Sequence, residues 1–168
     1  MRQNTRKIVL ASVFAALIFV VTAYLPRFPI PPGYIHFGDA FIYIAACLLP
    51  VPYAAAAAAF GAVAADTLTG FAVWAPATLV IKAVMACVFS SHSYKIATAR
   101  NMLAAVIAGL IGTAGYYLYE ALVISNFAAA LESVPFNIIQ GAGSAVIFAV
   151  AALALDKADI KKITDTKI

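Results

Sequence analysis

A chain of 168 residues that is 65% hydrophobic and only 11% charged, with a mean hydropathy of +0.99, lies far from the roughly 45–50% apolar and 25% charged make-up of soluble domains. It reads as an integral membrane protein, and because each apolar run is soon followed by another, a separate soluble catalytic domain or nucleotide-binding cassette is excluded. The net charge of +4 is spent on membrane topology rather than on a nucleic-acid footprint, as the positions of the basic residues show.

Cutting the apolar runs at their punctuation predicts spans near residues 8–25, 36–52, 53–72, 75–91, 101–125 and 135–155, each approaching the roughly 20 residues that cross a core about 30 Å thick. The expected fold is an all-α integral membrane protein: one domain, a bundle of six transmembrane helices. The first run follows Arg2, Arg6 and Lys7 as a signal peptide would. It exceeds the usual h-region of about 7–15 residues, lacks an A-x-A site before Pro26, and is therefore read as a span.

"PRFPIPPGYIH", Pro26 to His36, is stiffened by prolines and suits a lid over an outward cavity or, more plainly, a rigid connector. The second span is the shortest, because its strictly apolar part is only Ala40 to Leu49. A short, re-entrant or tilted segment is the alternative there. Pro50 and Pro52 enforce a tight turn into "YAAAAAAFGAVAA", whose small side chains suit close helix approach and a central position. Pro76 and Pro135 fit first-turn positions, where a missing N–H costs nothing. Cys47 and Cys87 lie in apolar runs and are read as small packing residues.

Arg2, Arg6, Lys7, Lys95, Arg100, Lys157, Lys161, Lys162 and Lys167 fall on one side of the six-span arrangement, with Arg27 opposite. Both termini are therefore expected in the cytoplasm. The tail "DKADIKKITDTKI" is topogenic on this reading, and His92 is a solvated loop residue.

The remaining ionisable groups sort to the outer half. His36 and Asp39 open the second span, Asp66 nears the outer end of the third, Lys82 lies about 10 Å into the fourth, and Glu120 approaches the outer end of the fifth. Glu132 is expected in the last outer loop, wet. Such groups cost about 2.5–3.5 kcal/mol each at the bilayer centre for Asp, Lys or Arg, so they face protein, water or a ligand. Asn137, Gln140, Gly141 and Ser144 follow i, i+3, i+4, i+7 spacing on one helical face, and Gly112, Tyr116 and Glu120 line up at i+4 steps. Together they imply a cavity open to the outside.

Plainer roles compete at each position. Asp39 follows Gly38 at a helix start and is placed to cap it. Asp66 and Lys82 are placed to form a structural ion pair between the third and fourth helices. Asn137 and Gln140 suit interhelical hydrogen bonds, and Trp74, Tyr116, Tyr117 and Tyr119 suit an aromatic belt at the outer interface. A membrane enzyme with His36 and Asp39 or Asp66 as a general base is the rival from another class. Neither metal spacing nor a nucleophile motif or cofactor loop supports it, so no catalytic residue, metal or cofactor is expected. A second rival is a stand-alone ion-coupled carrier protonated at Asp66 or Glu120.

"IVLASVFAAL" in the first helix, "HFGDAFIYIAACLLP" opening the second, "APATLVIKAVMACVF" in the fourth and "VPFNIIQGAGSAVIFAV" in the sixth resemble, in order and spacing, the substrate-binding S components of energy-coupling factor (ECF) vitamin transporters. The resemblance covers nearly the whole chain. It implies a multi-pass protein of a prokaryotic cell membrane that captures a vitamin or related micronutrient from outside and delivers it with a T component and two ATPase subunits. It also implies that small residues at A-x-x-x-A spacing in the first helix, here Ala11 and Ala15, contact the T component; packing within the chain is the alternative. Substrate-binding candidates are Lys82, Glu120, Asn137, Gln140, Tyr116, Asp66, Asp39, His36 and Tyr34, with Lys82 supplying charge, Asn137 and Gln140 reading heteroatoms and Tyr116 stacking on a ring.

Overall fold

The computed structural model describes residues 2–25, 28–30 and 33–164. Helix α1 (Arg2–Tyr24) leads to an antiparallel hairpin of β1 (Phe28–Ile30) and β2 (Gly33–Ile35), with Phe28 opposite Ile35 and Pro29 opposite Tyr34. Helices α2 (Asp39–Leu48) and α3 (Val51–Leu68) follow, then a 3-10 turn (Ala72–Trp74) that runs into α4 (Ala75–Cys87). Helix α5 (Ala99–Tyr119) continues through a π-helical turn (Glu120–Ile124) to the short α6 (Phe127–Ala130). A second 3-10 turn (Leu131–Ser133), the long α7 (Val134–Lys157) and α8 (Ile160–Thr164) complete the described chain.

Proline sets several of these boundaries. Leu49 is driven to extended backbone (φ −111, ψ 151) by the following Pro50, which ends α2, and Pro52 then enters the first turn of α3. Pro76 and Pro135 occupy the first turns of α4 and α7, where no N–H is missed. Gly70, at φ +91, makes the turn after α3 that a residue with a Cβ would resist. Thr98 caps α5 by accepting from the Asn101 amide at 3.2 Å.

Among the described residues, four helical stretches are long and apolar enough to cross a membrane: Asn4–Tyr24, Val51–Leu68, Ala99–Ile124 and Phe127–Lys157. Two shorter apolar helices, Asp39–Leu48 and Ala72–Cys87, stand with them. The second expected span is thus the short one, 10 residues where 36–52 was anticipated. Its first residues are given to the hairpin exit and the Phe37–Gly38 turn.

Helix α2 is the centre of the bundle, touching α1, α3, α4 and α7. Nearly all of it is buried, and Tyr43 stacks on Phe89 (4.9 Å) and meets Phe148 edge-on (5.8 Å) beneath the middle of the molecule. Small residues bring the surrounding helices close. A Cβ on Gly61 would stand 2.5 Å from the Ala15 carbonyl, so α1 and α3 touch backbone to backbone, and Gly109 and Gly141 do the same for α5 and α7. The outward faces carry Val9, Val13, Leu103, Val106, Leu110, Val146 and Val150, exposed as a lipid-facing surface requires. Cys47 packs in the core as expected, whereas Cys87 is exposed.

The two ends of the bundle differ. At one lie the hairpin, the α3–α4 turn and the connection from α5 to α7, tied by the Tyr119 hydroxyl donating to the Val73 carbonyl at 2.7 Å. At the other lie the α2–α3 turn, the loop between α4 and α5, α8 and the start of α1. Lys95, Arg100, Lys157, Lys161 and Lys162 gather at this second end, with Arg6 and Lys7 on the first turns of α1. Arg27 and Lys167 fall outside the described residues.

Candidate substrate site

Asp39, the first residue of α2, sits 2% exposed at the middle of the molecule. Its Oδ1 lies 2.6 Å from Lys82 Nζ on α4, and its Oδ2 accepts from Gln140 Nε2 on α7 at 3.0 Å. The glutamine is held in turn by the His36 amide, which donates to Gln140 Oε1 at 3.1 Å. Gly38 N–H donates to His36 Nδ1 at 3.0 Å, so that nitrogen carries no proton and the imidazole is uncharged. Gly38 is needed here, because a Cβ would collide with Thr22 Oγ1 on α1. The start of α2 is wedged between α1 and the imidazole.

A second carboxylate is handled differently. Asp66 on α3 accepts from the Tyr34 hydroxyl of β2 at 2.8 Å on one oxygen and from the Thr78 hydroxyl of α4 on the other. Thr78 also hydrogen-bonds the Tyr116 hydroxyl of α5 at 3.0 Å. The Tyr116 ring closes the circuit by lying 5.1 Å from Lys82 Nζ, within cation–π range. Burial, then the neighbouring Asp66 charge, pushes the Tyr34 phenol well above its ordinary pKa, so it is a fixed donor. One connected cluster therefore joins the hairpin, α2, α3, α4, α5 and α7, holding two carboxylates and one cation.

Several competing roles are decided by these contacts. Asp39 does not cap its helix: Gly38 is the cap residue, no side-chain cap bond forms, and the carboxylate goes to Lys82 and Gln140. The ion pair of Lys82 is with Asp39, not with Asp66, because α2 is inserted between the helices and presents its carboxylate to the ammonium first. Both partners are almost fully buried, at 1% and 3%. Their desolvation cost is recovered only while both are present, and losing one partner of such a pair costs about 3–5 kcal/mol.

Two candidates stand apart from the cluster. Glu120 is 3% exposed at the far end of α5, but no hydrogen bond or ion pair among the described residues links its carboxylate to the others. Asn137 is half-buried on α7 and makes no such link either, although Gln140, Gly141 and Ser144 on the same stripe are buried. Glu132 and His92 are exposed, as expected. Trp74 is not a belt residue at the surface: it is 8% exposed and packs against Tyr116 and Tyr119, both at 5.9 Å.

Thr78 escaped the sequence reading, although it lies one helical turn before Lys82 and shares its face. Four further polar atoms are buried without a hydrogen-bond partner among the described residues: Thr22 Oγ1, Tyr43 OH, Trp74 Nε1 and Ser144 Oγ. Two of them abut residues of the cluster or its neighbours, and two lie one turn further along its helices. Thr22 abuts Gly38, Trp74 abuts Tyr116, Tyr43 lies one turn beyond Asp39 on α2, and Ser144 lies one turn beyond Gln140 on α7. Among the described residues, no group of His, Cys, Asp and Glu is arranged to hold a metal ion.

A family model described as "ECF-type riboflavin transporter, S component" matches residues 2–157. The chain belongs to this family. No curated protein matches it. As an S component it is a membrane-embedded, substrate-binding subunit of a transporter and not an enzyme, which removes the general-base reading of His36. The small-residue strip of this S component divides between inside and outside. The Ala15 carbonyl faces Gly61 of α3 and Ala11 is half-buried against the core, whereas Ser12 and Ala16, at the same i, i+4 spacing, are exposed.

Proposed function

We propose that this S component has six spans with both termini in the cytoplasm of a prokaryotic cell, captures a vitamin or related micronutrient from outside, and delivers it with a T component and two ATPase subunits. The arrangement supporting capture is the buried Asp39–Lys82–Gln140 cluster together with four buried polar atoms unpartnered among the described residues, of which Thr22 Oγ1 and Trp74 Nε1 stand beside residues of its network. Buried polar groups are ordinarily hydrogen-bonded, each orphan costing about 1–3 kcal/mol. A polar heterocycle that supplies partners to several of them recovers this cost. Its face toward Asp66 would carry donors, since that carboxylate meets hydroxyls and forms no ion pair. The hairpin, which carries Tyr34 and leads directly into His36, acts as the lid.

Supporting the topology, basic residues gather at the end of the bundle opposite the hairpin. The docking reading assigns the T component to α1, with Ala11 and Ala15 as close-approach positions and the exposed Ser12 and Ala16 beside them. The test of capture is mass spectrometry of the small molecule retained by gently purified protein, followed by calorimetry with that molecule and with riboflavin, the substrate in the family's description. A protein that retains no small molecule and binds none of the vitamins offered would defeat the receptor reading.

A second reading rests on Asp66, whose hydroxyl partners would suit a site that gains and loses a proton in an ion-coupled carrier. Uptake by liposomes containing this subunit alone would favour it. Strict dependence on T and ATPase subunits would dismiss it.

A further inference from the structure

A cavity of about 760 Å³ opens at the end of the bundle away from the hairpin, within the size range of ligand pockets. Part of its lining is apolar, including Leu48, Val51, Pro52 and Phe89, and its polar part is the Ser90–Tyr94 stretch with Arg100 and Lys161. Among the described residues, no carboxylate lines it. The acids nearby are committed elsewhere: Asp156 accepts from the amides of Ile96 and Ala97 at 2.8 and 2.9 Å, and Asp159 pairs with Lys162 at 2.8 Å. The positive ends of α3 and α5 reach the cavity through Val51 and Arg100.

The polar wall is held in shape by its own bonds. Asn101, fully buried, donates to the carbonyls of Ser90 and Ile96 at 3.2 and 3.1 Å and accepts from the Ser90 amide at 3.1 Å. Lys161 Nζ donates to the carbonyls of Ser91 and Ser93 at 2.9 and 2.6 Å, which fixes its charge at the wall. Arg100 is exposed, and although its Nη1 donates to Asn101 Oδ1 at 3.5 Å, the rest of its guanidinium fork matches phosphate oxygens. At the rim, Val51, Pro52 and Cys87 are exposed apolar residues at helix ends, so what enters beside the cations meets hydrocarbon on its other side.

We propose that this cavity binds the phosphate of an anionic phospholipid headgroup, with Arg100 and Lys161 on the phosphate and the glycerol and upper acyl carbons against Val51, Pro52 and Phe89. A soluble phosphate ester shares the anionic chemistry but makes no use of the apolar wall. The test is native mass spectrometry of the full-length protein in detergent with phosphatidylglycerol or phosphatidylcholine, alongside thermal unfolding with phosphatidylglycerol or with inorganic phosphate. Phosphatidylglycerol adducts should outnumber phosphatidylcholine adducts, and R100Q should reduce them about fivefold, the effect of one cation at an anionic headgroup. K95Q, an exposed lysine outside the cavity, should leave them unchanged. Equal retention of the two lipids, undiminished adducts in R100Q, or an equal loss in K95Q would overturn the site. Stabilisation by inorganic phosphate matching that by phosphatidylglycerol would overturn the lipid assignment.

Discussion

Helices α2 and α5 divide the labour of the bundle. Nine of the ten residues of α2 are buried, against five of the twenty-one in α5. The long helix meets the membrane with Leu103, Val106 and Leu110 and gives the interior mainly alanine, glycine and Tyr116. The short helix meets almost nothing but protein and begins with a charge. A carboxylate is tolerable at the start of α2 because four helices and the hairpin exit shield it from lipid; the same residue at Val106 would face hydrocarbon with no partner. Shortness and charge belong together: ten residues rise about 15 Å, half the thickness of a bilayer core, so α2 alone is too short to cross one.

The contrast can be broken most directly at the ion pair. K82A should cost about 3–5 kcal/mol in unfolding free energy and weaken ligand binding about 100-fold by calorimetry. The double variant D39N/K82M, which removes both charges, should recover much of the stability and none of the affinity. A K82A protein as stable as the wild type would mean that α2 is not the shielded centre. Next in size, G61L drives a side chain into the Ala15 backbone and should cost about 1–3 kcal/mol or block folding, seen as a lowered Tm. D66N keeps the side-chain shape but replaces one acceptor oxygen with an NH2 donor facing a buried hydroxyl, so it should lower ligand affinity about tenfold and cost about 1–3 kcal/mol in stability, seen as a lowered Tm. Smallest of all, L110A on the outward face of α5 should shift stability by no more than about 0.5 kcal/mol. An L110A effect as large as that of K82A would erase the distinction between the two helices.

Much of this contrast was legible in the residues. The six apolar runs lie within a few residues of α1 to α5 and α7, because proline and the loss of hydrophobicity punctuate them. Helix α1 begins earlier than its apolar run, since its polar first turns project beyond the greasy stretch. The hairpin was not legible: "FPI" and "GYI" are too short for a period-2 pattern, and their pairing is fixed by what Tyr34 and His36 reach. Composition and depth identified Asp39, Asp66, Lys82, Tyr116 and Gln140 as interior polar groups, but not who meets whom. The choice of Asp39 over Asp66 as partner of Lys82 depends on the insertion of α2, which no spacing within one helix encodes. Glu120 and Asn137 satisfied the same periodicity and still lie outside the network, since periodicity sets the face and not the height of the neighbours.

On the proposed six-span topology, with Lys82 and Asp39 binding the substrate inside the bundle, the pair has an electrical consequence. A solute that descends to them travels through part of the potential difference across the bilayer, which is worth about 2.3 kcal/mol per elementary charge per 100 mV for the full drop. Binding of an ionic substrate is then sensitive to voltage and that of a neutral one is not, a distinction that affinity measurements in energised proteoliposomes would reveal.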